Sequence, residues 1–318
     1  MEFHTRLALR GNVGDDGDCF EVLEAAEFGG VFLPDTPAVA ADPFVTIGME
    51  AERQRASSLV YTVASTNFST RHWSVLAGMS QQLAWRLGHR FRLAVGIGDS
   101  ALKEFGLARL SYDEFDKCLE SLAARLEPAC RPTILVASNR RSGWRIAGAR
   151  ANGVIIQSGL SSSVPAAALT ELHASADEAR RSSGDWQVIT SVYVIPPNIS
   201  EEEKRLHLNL RYRMHSLRDP HLLAAHGVPV ALAEGEGWVD YGHASPGSRV
   251  ADLPAEQLDA FERLFCIPGS PGSAHAHAAR LAEVGVTGIC LLDLRTRATP
   301  SEAAATALAA TSLGTGPS

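Results

Sequence analysis

A chain of 318 residues is long enough for one large barrel or two ordinary domains, and length alone does not choose between them. With 45% apolar and 20% charged residues the composition is that of a globular protein, and a net charge of −7 gives no electrostatic case for a nucleic-acid or anionic-membrane partner. No apolar run approaches the ~20 residues that cross a bilayer, and the residues after Met1 lack the apolar core of a signal peptide, so a cytoplasmic protein is expected. Cys19, Cys118, Cys130, Cys266 and Cys290 are scattered and odd in number, with no Cys-x-x-Cys pair, which speaks against a disulfide framework or a zinc knuckle. Cys118 and Cys290 read as small core residues.

In chain order, Thr5–Leu9 reads as a first strand, followed by a Gly/Asp-rich turn and a helix through Val22, Leu23 and Ala26. Gly29-Gly30 ends that helix before a second strand, Val31–Leu33, which closes at Pro34-Asp35-Thr36. Asp42-Pro43 opens the next helix, with the proline in its first turn. The β-branched run from Leu59 to Val63 is a third strand, broken by the small and polar Ala64-Ser65-Thr66-Asn67. His72, Val75, Leu76, Met79 and Leu83 then recur at helical spacing, Gly88 ends the helix, and Phe91–Val95 is a fourth strand ending in Gly96-Ile97-Gly98-Asp99-Ser100.

Phe115, Cys118, Leu119 and Leu122 mark a further helix, and Thr133–Ala137 a fifth strand with Ser138-Asn139 at its polar end. A short helix around Trp144–Ala149 leads to Gly153–Ile156, which ends at Gln157-Ser158-Gly159. Leu169, Leu172, Ala176 and Ala179 give another helix, and Val188–Ile195 a seventh strand, stopped by Pro196-Pro197. From residue 198 to 265 there is no strand signal: Ser200-x-x-Glu203 has the form of a capping box, Leu206, Leu210, Met214 and Leu217 form an apolar face, and Glu234–Ser248 reads as loop. Regular structure resumes with a helix through Ala278, Leu281 and Ala282, an eighth strand, Gly288–Leu292, and a last helix, Ala304–Leu313. This alternation predicts an α/β chain folded as one (β/α)8 TIM barrel over residues 1–318. The insertion at 198–265, after strand seven, is expected to lie over the carboxyl-end face.

A barrel of this kind gathers its chemistry at the carboxyl ends of its strands, which would bring together Asp35, Ser65–Asn67, Gly96–Ser100, Ser138-Asn139, Ser158-Gly159 and Tyr193. Asp35 is the catalytic candidate, a carboxylate after an apolar strand that can bond a cofactor ring or pass a proton; the alternative is an Asx turn or helix cap. The loop from Gly159 and Leu160 through Ser163 is a candidate phosphate cradle or a polar loop ahead of Pro165, and Asn139, Arg140 and Arg141 pair a phosphate or are simply solvated. His275 and His277 are two apart, so they point to different faces of a helix, and no metal site is expected. His215, His221, His226 and His243 in the insertion line a substrate lid or decorate the surface, and the second reading is favoured.

Several segments, in order along most of the chain, resemble the bacterial-luciferase-like superfamily, and within it the methylenetetrahydromethanopterin-reductase-like branch that uses the deazaflavin coenzyme F420. Glu24-Ala-Ala-Glu-Phe-Gly29 and Val31-Phe-Leu-Pro-Asp35 are similar to that branch's first helix and second strand. Thr66-Asn67-Phe-Ser-Thr70-Arg71-His72 resembles its TN-x-x-TRH motif, and Arg90 to Ala101 its GR-x-x-LG-x-G-x-GDSA segment. Ala147-Gly148-x-x-Ala151-Asn152-Gly153 resembles AG-x-x-ADG, and Gly269-Ser270-Pro271 a G-[ST]-P turn. Phe68 stands where the family has proline, Asn152 where it has aspartate, and Asn139-Arg140-Arg141 where it has Ser-Gly-Pro.

The resemblance implies an F420H2-dependent reductase that transfers a hydride to a C=C or C=N bond of a small molecule. Ala64, Ser65, Thr66, Asn67, Gly96, Gly98, Asp99, Ser100, Ser138, Asn139, Ser158, Gly159 and Leu160 would hold the cofactor, and Thr36, His72 and Tyr193 would face the substrate. It also implies a strand-three bulge with a cis peptide at Ala64-Ser65, and a homodimer. His72 would sit near the ring, although its place on an apolar helix face equally suits a core histidine. The nearest rival is an FMN-dependent monooxygenase of the same fold. More remote are a serine hydrolase, because Gly98-Asp99-Ser100-Ala-Leu resembles the GDSL block and Asp240-x-x-His243 offers partners, and a non-catalytic cofactor-binding protein. A metal-dependent barrel hydrolase is disfavoured, since Thr5–Leu9 does not end in His-x-His.

Overall fold

The computed structural model describes residues 1–9, 18–37, 40–53, 57–98, 102, 105–182, 184–230, 253–296 and 298–313. Its strands are β1 (Glu2–Arg6), β2 (Gly30–Leu33), β3 (Val60–Asn67), β4 (Phe91–Gly96), β5 (Thr133–Ala137), β6 (Gly153–Ile156), β7 (Gln187–Ile195), β8 (Cys266–Pro268) and β9 (Gly288–Asp293). The helices are α1 (Asp18–Ala25), α2 (Pro43–Arg53), α3 (Trp73–Leu87), α4 (Tyr112–Arg125), α5 (Arg141–Arg150), α6 (Ser163–Glu178), α7 (Glu201–Arg218), α8 (Pro220–Ala225), α9 (Ala255–Phe265), α10 (Ser273–Glu283) and α11 (Pro300–Thr311). The sheet runs β6-β5-β4-β3-β2-β1-β9-β7-β8, and β6 also pairs with β7, so eight parallel strands close into a (β/α)8 TIM barrel.

Successive side chains on a strand point to opposite faces, and the apolar residues sort accordingly. Phe32, Ala94, Leu135, Ile155, Ile189 and Cys290 fill the barrel interior as one cluster, while Val31, Leu33, Leu93, Val95, Val136 and Leu291 pack outward under the helices in another. The interior cluster continues upward into Tyr193, then Leu208 and Tyr212 of α7 and Phe261 and Phe265 of α9. The helices that follow β7 are therefore packed on the barrel's own interior.

The structure corrects four expectations. The first strand is Glu2–Arg6 and not Thr5–Leu9, because its inward positions are Glu2, His4 and Arg6, polar residues that an apolar criterion discards. Helix α3 starts at Trp73, leaving His72 outside it as an exposed N-cap that accepts a hydrogen bond from the Ser74 amide; the buried face is Leu76, Leu83 and Leu87, and Val75 is exposed. A strand absent from the sequence reading, β8, pairs with Tyr193–Ile195 at the end of β7; at three residues it is too short for any period to show. Cys118 is only half-buried at the edge of the core, whereas Cys290 lies inside the barrel with its thiol pushed up to about 12 by burial.

Two motif departures have structural work. Phe68 is buried against Phe115, with ring centroids 5.4 Å apart. The Asn152 side-chain oxygen accepts the Ile134 amide at 2.9 Å, a bond an aspartate oxygen would also make.

Candidate active site

The carboxyl ends of β2 and β3 are tied by charge. Asp35 is buried, and Arg71 grips both its oxygens, Nε to Oδ2 at 2.7 Å and Nη2 to Oδ1 at 3.0 Å. The same guanidinium reaches Asp42 Oδ2 at 2.6 Å and lies over the Phe44 ring at 5.3 Å. Arg71 is held in turn by its own amide, which donates to the Asn67 carbonyl. Asp42 caps α2 by accepting the amides of Phe44 and Val45. The strand exits and the start of α2 thus share one clamp, and the Asp35 carboxylate faces Arg71.

Beside it, the Ala64–Ser65 peptide bond is cis, and the β3–β4 register shifts between Val63 and Thr66. On the barrel side Gly96 and Ala137 stand next to each other on β4 and β5, while Ala64, on β3 before the register shift, packs against the same interior cluster. A Cβ on Gly96 would come within 3.2 Å of the Ala137 carbonyl oxygen and 3.6 Å of Ser65 Oγ. The Asn67 side-chain oxygen accepts the amides of Ser69 and Thr70 and so shapes the turn, which leaves its NH2 and the Ser65 hydroxyl without a partner among the described residues. Thr66 is buried with its hydroxyl unpaired. Gly98 follows at φ +77°, where a side chain would collide with Leu102. Thr36 is half-buried next to Asp35. Asp99, Ser100, Asp240 and His243 lie outside the described residues.

The opposite wall is built from β1, β9, β7 and α7. Leu208 to Ser216 of α7 is buried throughout, although it contains Arg211, Arg213 and His215. The Tyr193 hydroxyl is hydrogen-bonded to His215 Nε2 at 3.1 Å, and the Arg211 guanidinium stacks 4.7 Å above the Tyr193 ring. Arg211 donates to the carbonyls of Asp293, Leu294 and Arg295 at the end of β9. Burial first, then the charges of Arg218 and Arg211, pushes the His215 pKa down to about 3, so the imidazole is neutral near pH 7. His215 is therefore an interior group, against the expectation of surface decoration. Its neighbours were hidden in the sequence because a helix buried on all sides shows no polar face to contrast with an apolar one.

A cleft of about 760 Å³ opens alongside, over the ends of β4 and β5, lined in part by Ile97, Arg109, Asn139, Arg140, Arg218 and His221. Asn139 accepts the Gln157 amide at 2.7 Å, which locks the β5 and β6 exits together. Ser138 Oγ accepts the Arg140 amide at the entry to α5. Arg140 is 3.7 Å from Asp219, and Arg141 is paired with Glu171 at 2.6 Å. The expected phosphate cradle after β6 is filled. Leu160 donates its amide to the Leu264 carbonyl, Ser161 donates to Ser158, and the Ser158 hydroxyl is bonded to Thr190. Gly159, at φ +57°, lies so close to Leu264 that a Cβ would clash with its carbonyl. His226 closes this loop from α8, with Nε2 2.7 Å from Ser161 Oγ. Among the described residues no cluster of His, Cys, Asp and Glu is placed to hold a metal ion, and no helix is long and apolar enough to cross a membrane.

No family model matches the chain, and no curated protein matches it in sequence. Solved structures do match along nearly the whole length. The coenzyme F420-dependent tetrahydromethanopterin reductase of Methanopyrus kandleri superposes with a TM-score of 0.72 at 15% identity, covering 98% of both chains. An F420-dependent secondary alcohol dehydrogenase, solved with an F420-acetone adduct, gives 0.68 at 11% identity over 96% of each. The EDTA monooxygenase of Chelativorans sp. BNC1 gives 0.63 at 14% identity, over 98% of this chain and 92% of its own. The chain shares the (β/α)8 TIM-barrel fold of these proteins. In this barrel Asp35, Asn67 and Gly96 stand at the carboxyl ends of the adjacent strands β2, β3 and β4, on one rim.

Proposed function

We propose that this chain is an oxidoreductase that binds a flat tricyclic cofactor against the small-residue wall of its barrel mouth, and that the cofactor is F420, with FMN as the alternative. The observation that carries the reading is the run of Ala64, Gly96 and Ala137 on three neighbouring strands, facing a wall of large polar side chains. A ring lying there is shape-matched on one side and leaves the other for a substrate. The residues present fit such a group: the Ser65 hydroxyl and the Asn67 NH2, without partners among the described residues, would bond its polar atoms, and Arg109, Arg140 and Arg218 line the adjoining cleft, where they would hold a phosphate-bearing tail. The TN-x-x-TRH residues, Thr66, Asn67, Thr70, Arg71 and His72, favour the deazaflavin.

When bound, the ring supplies hydride transfer. The chain's share is to orient and enclose. Arg71 holds Asp35 and so the rim against which the ring rests, and α7 roofs the mouth against water. Tyr193, hydrogen-bonded to a neutral His215, offers a proton at the wall facing the ring, which reduction of a C=C or C=N bond of a small-molecule substrate requires. Separate incubation of the purified protein with F420 and with FMN, followed by gel filtration and fluorescence of the protein fraction, tests the proposal. Retention of F420 is expected, retention of FMN alone would replace the cofactor, and retention of neither would remove the oxidoreductase reading.

A further inference from the structure

The wall facing the small residues carries two guanidinium groups and, among the described residues, no carboxylate between them. Tyr193 pairs with Leu292 across β7–β9, and Arg6 lies one residue beyond the Thr5–Leu291 pair across β1–β9, so Arg6, Leu292 and Tyr193 stand at one level on three consecutive strands. Arg211 of α7 lies over the Tyr193 ring. Its donors Nε and Nη2 go to backbone carbonyls, and among the described residues its Nη1 meets only the Met214 sulfur, at 4.0 Å. No hydrogen bond or ion pair from the Arg6 guanidinium is found among the described residues, and Arg6 is not fully enclosed. Burial first, then the like charge of Arg211, pushes the Arg6 pKa down, with Arg218 adding to it and Cys290 and Tyr193 opposing, and no carboxylate among the described residues offsets it.

Placing like charges together in a desolvated mouth destabilises the empty protein unless a ligand brings the opposite sign. We propose that Arg6 and Arg211 form an anion-recognising wall and that the substrate is a small organic anion, a carboxylate or a phosphate ester, held by the Arg6 fork with Arg211 adding one N–H and its charge. This deepens the proposed function by naming the substrate class. It sets the anion opposite Ala64, Gly96 and Ala137, so that a reducible bond in the same molecule lies between the two walls.

The test uses the apoprotein, and its result does not depend on which cofactor binds. Melting is followed with sodium malonate and with sodium phosphate, against sodium chloride at matched ionic strength. The wild type is expected to melt higher with malonate or phosphate. Arg6→Gln is expected to melt higher than wild type in chloride, because a repulsion is gone, and to lose the anion-dependent shift. An equal shift in Arg6→Gln, or no shift in the wild type, overturns the proposal. If Arg6→Gln does not fold, Arg6→Lys decides by calorimetric titration: at least tenfold weaker malonate binding supports the fork, and unchanged binding overturns it. A parallel loss of F420 affinity in Arg6→Gln would put the cofactor's own phosphate against Arg6 and overturn the assignment to substrate. Failure of F420 and FMN to bind, with anion binding intact, would count against the cofactor alone.

Discussion

Arg71, four residues past the end of β3, closes a two-pronged grip on Asp35, two residues past the end of β2. Asp35 was the sequence's candidate for proton transfer, yet both its oxygens face a guanidinium, so the geometry favours an anchor. Arg71→Ala leaves a buried carboxylate unpaired and is expected to destabilise the protein by about 3–5 kcal/mol. Arg71→Lys, which keeps the charge and loses the fork, should fall between it and wild type; urea unfolding reads both. Asp35→Asn is expected to keep cofactor affinity and most activity. A variant that folds, binds and does not turn over would instead make Asp35 the proton carrier.

The small-residue wall makes a steric prediction. Ala137→Leu places an isobutyl group beside Gly96, where the ring is proposed to lie, and should weaken cofactor retention at least tenfold, about 1.4 kcal/mol or more. Circular dichroism should stay near wild type, since Ala137 is only half-buried at the end of β5. The exposed Val75→Leu serves as the control with no effect.

Tyr193→Phe keeps the ring under Arg211 and removes only the hydroxyl bonded to His215. An imidazole nitrogen left unpaired in the interior should lower stability by about 1–3 kcal/mol. If the hydroxyl delivers the proton, turnover falls by roughly 10²-fold or more while cofactor affinity is unchanged, which stopped-flow kinetics and fluorescence titration separate.

Acid should weaken the fold in two stages. The folded pKa of His215, about 3, lies below the ordinary histidine value of 6.5, so the unfolded chain binds the extra proton first and stability falls as pH drops from about 6.5 toward 3. The slope is up to about 1.4 kcal/mol per pH unit for this group. His4, lowered chiefly by burial, adds to the same window. Glu2, held near 2 chiefly by its hydrogen bond to His4 and also by Arg92, adds stability that is present above about 4.5 and lost between there and 2. In His215→Gln the decline between pH 6.5 and 5 should be shallower, leaving the part due to His4, His207 and His277, which burial also lowers; an unchanged slope in urea midpoints would contradict this account.

The barrel was legible because most of its strands follow one rule, an apolar outward face under helices, and Val60–Val63, Phe91–Val95, Thr133–Ala137 and Val188–Ile195 obey it in full. Where the rule failed, the inward residues were polar: β1 points Glu2, His4 and Arg6 into the barrel and was misplaced toward Leu7 and Leu9. The rim residues Asn67 and Gly96 were found from turn chemistry. Their partner Arg71 stood in the same motif unweighed, since its bond to Asp35 spans 36 residues and no local pattern encodes it. Arg211 was missed, and His215 read as surface decoration, for the opposite reason. They sit on a helix whose polar residues are interior, and polarity in a helix ordinarily marks the solvent side.

The two walls of the mouth have separate genetic addresses. One is written in β3, β4 and β5, in the first half of the chain; the other depends mainly on β7, β9 and a helix added after β7, with Arg6 alone coming from the start. Mutation in α7 can therefore reshape one wall without touching the other, so a lineage with this layout is free to vary the second wall while the small-residue face stays as it is.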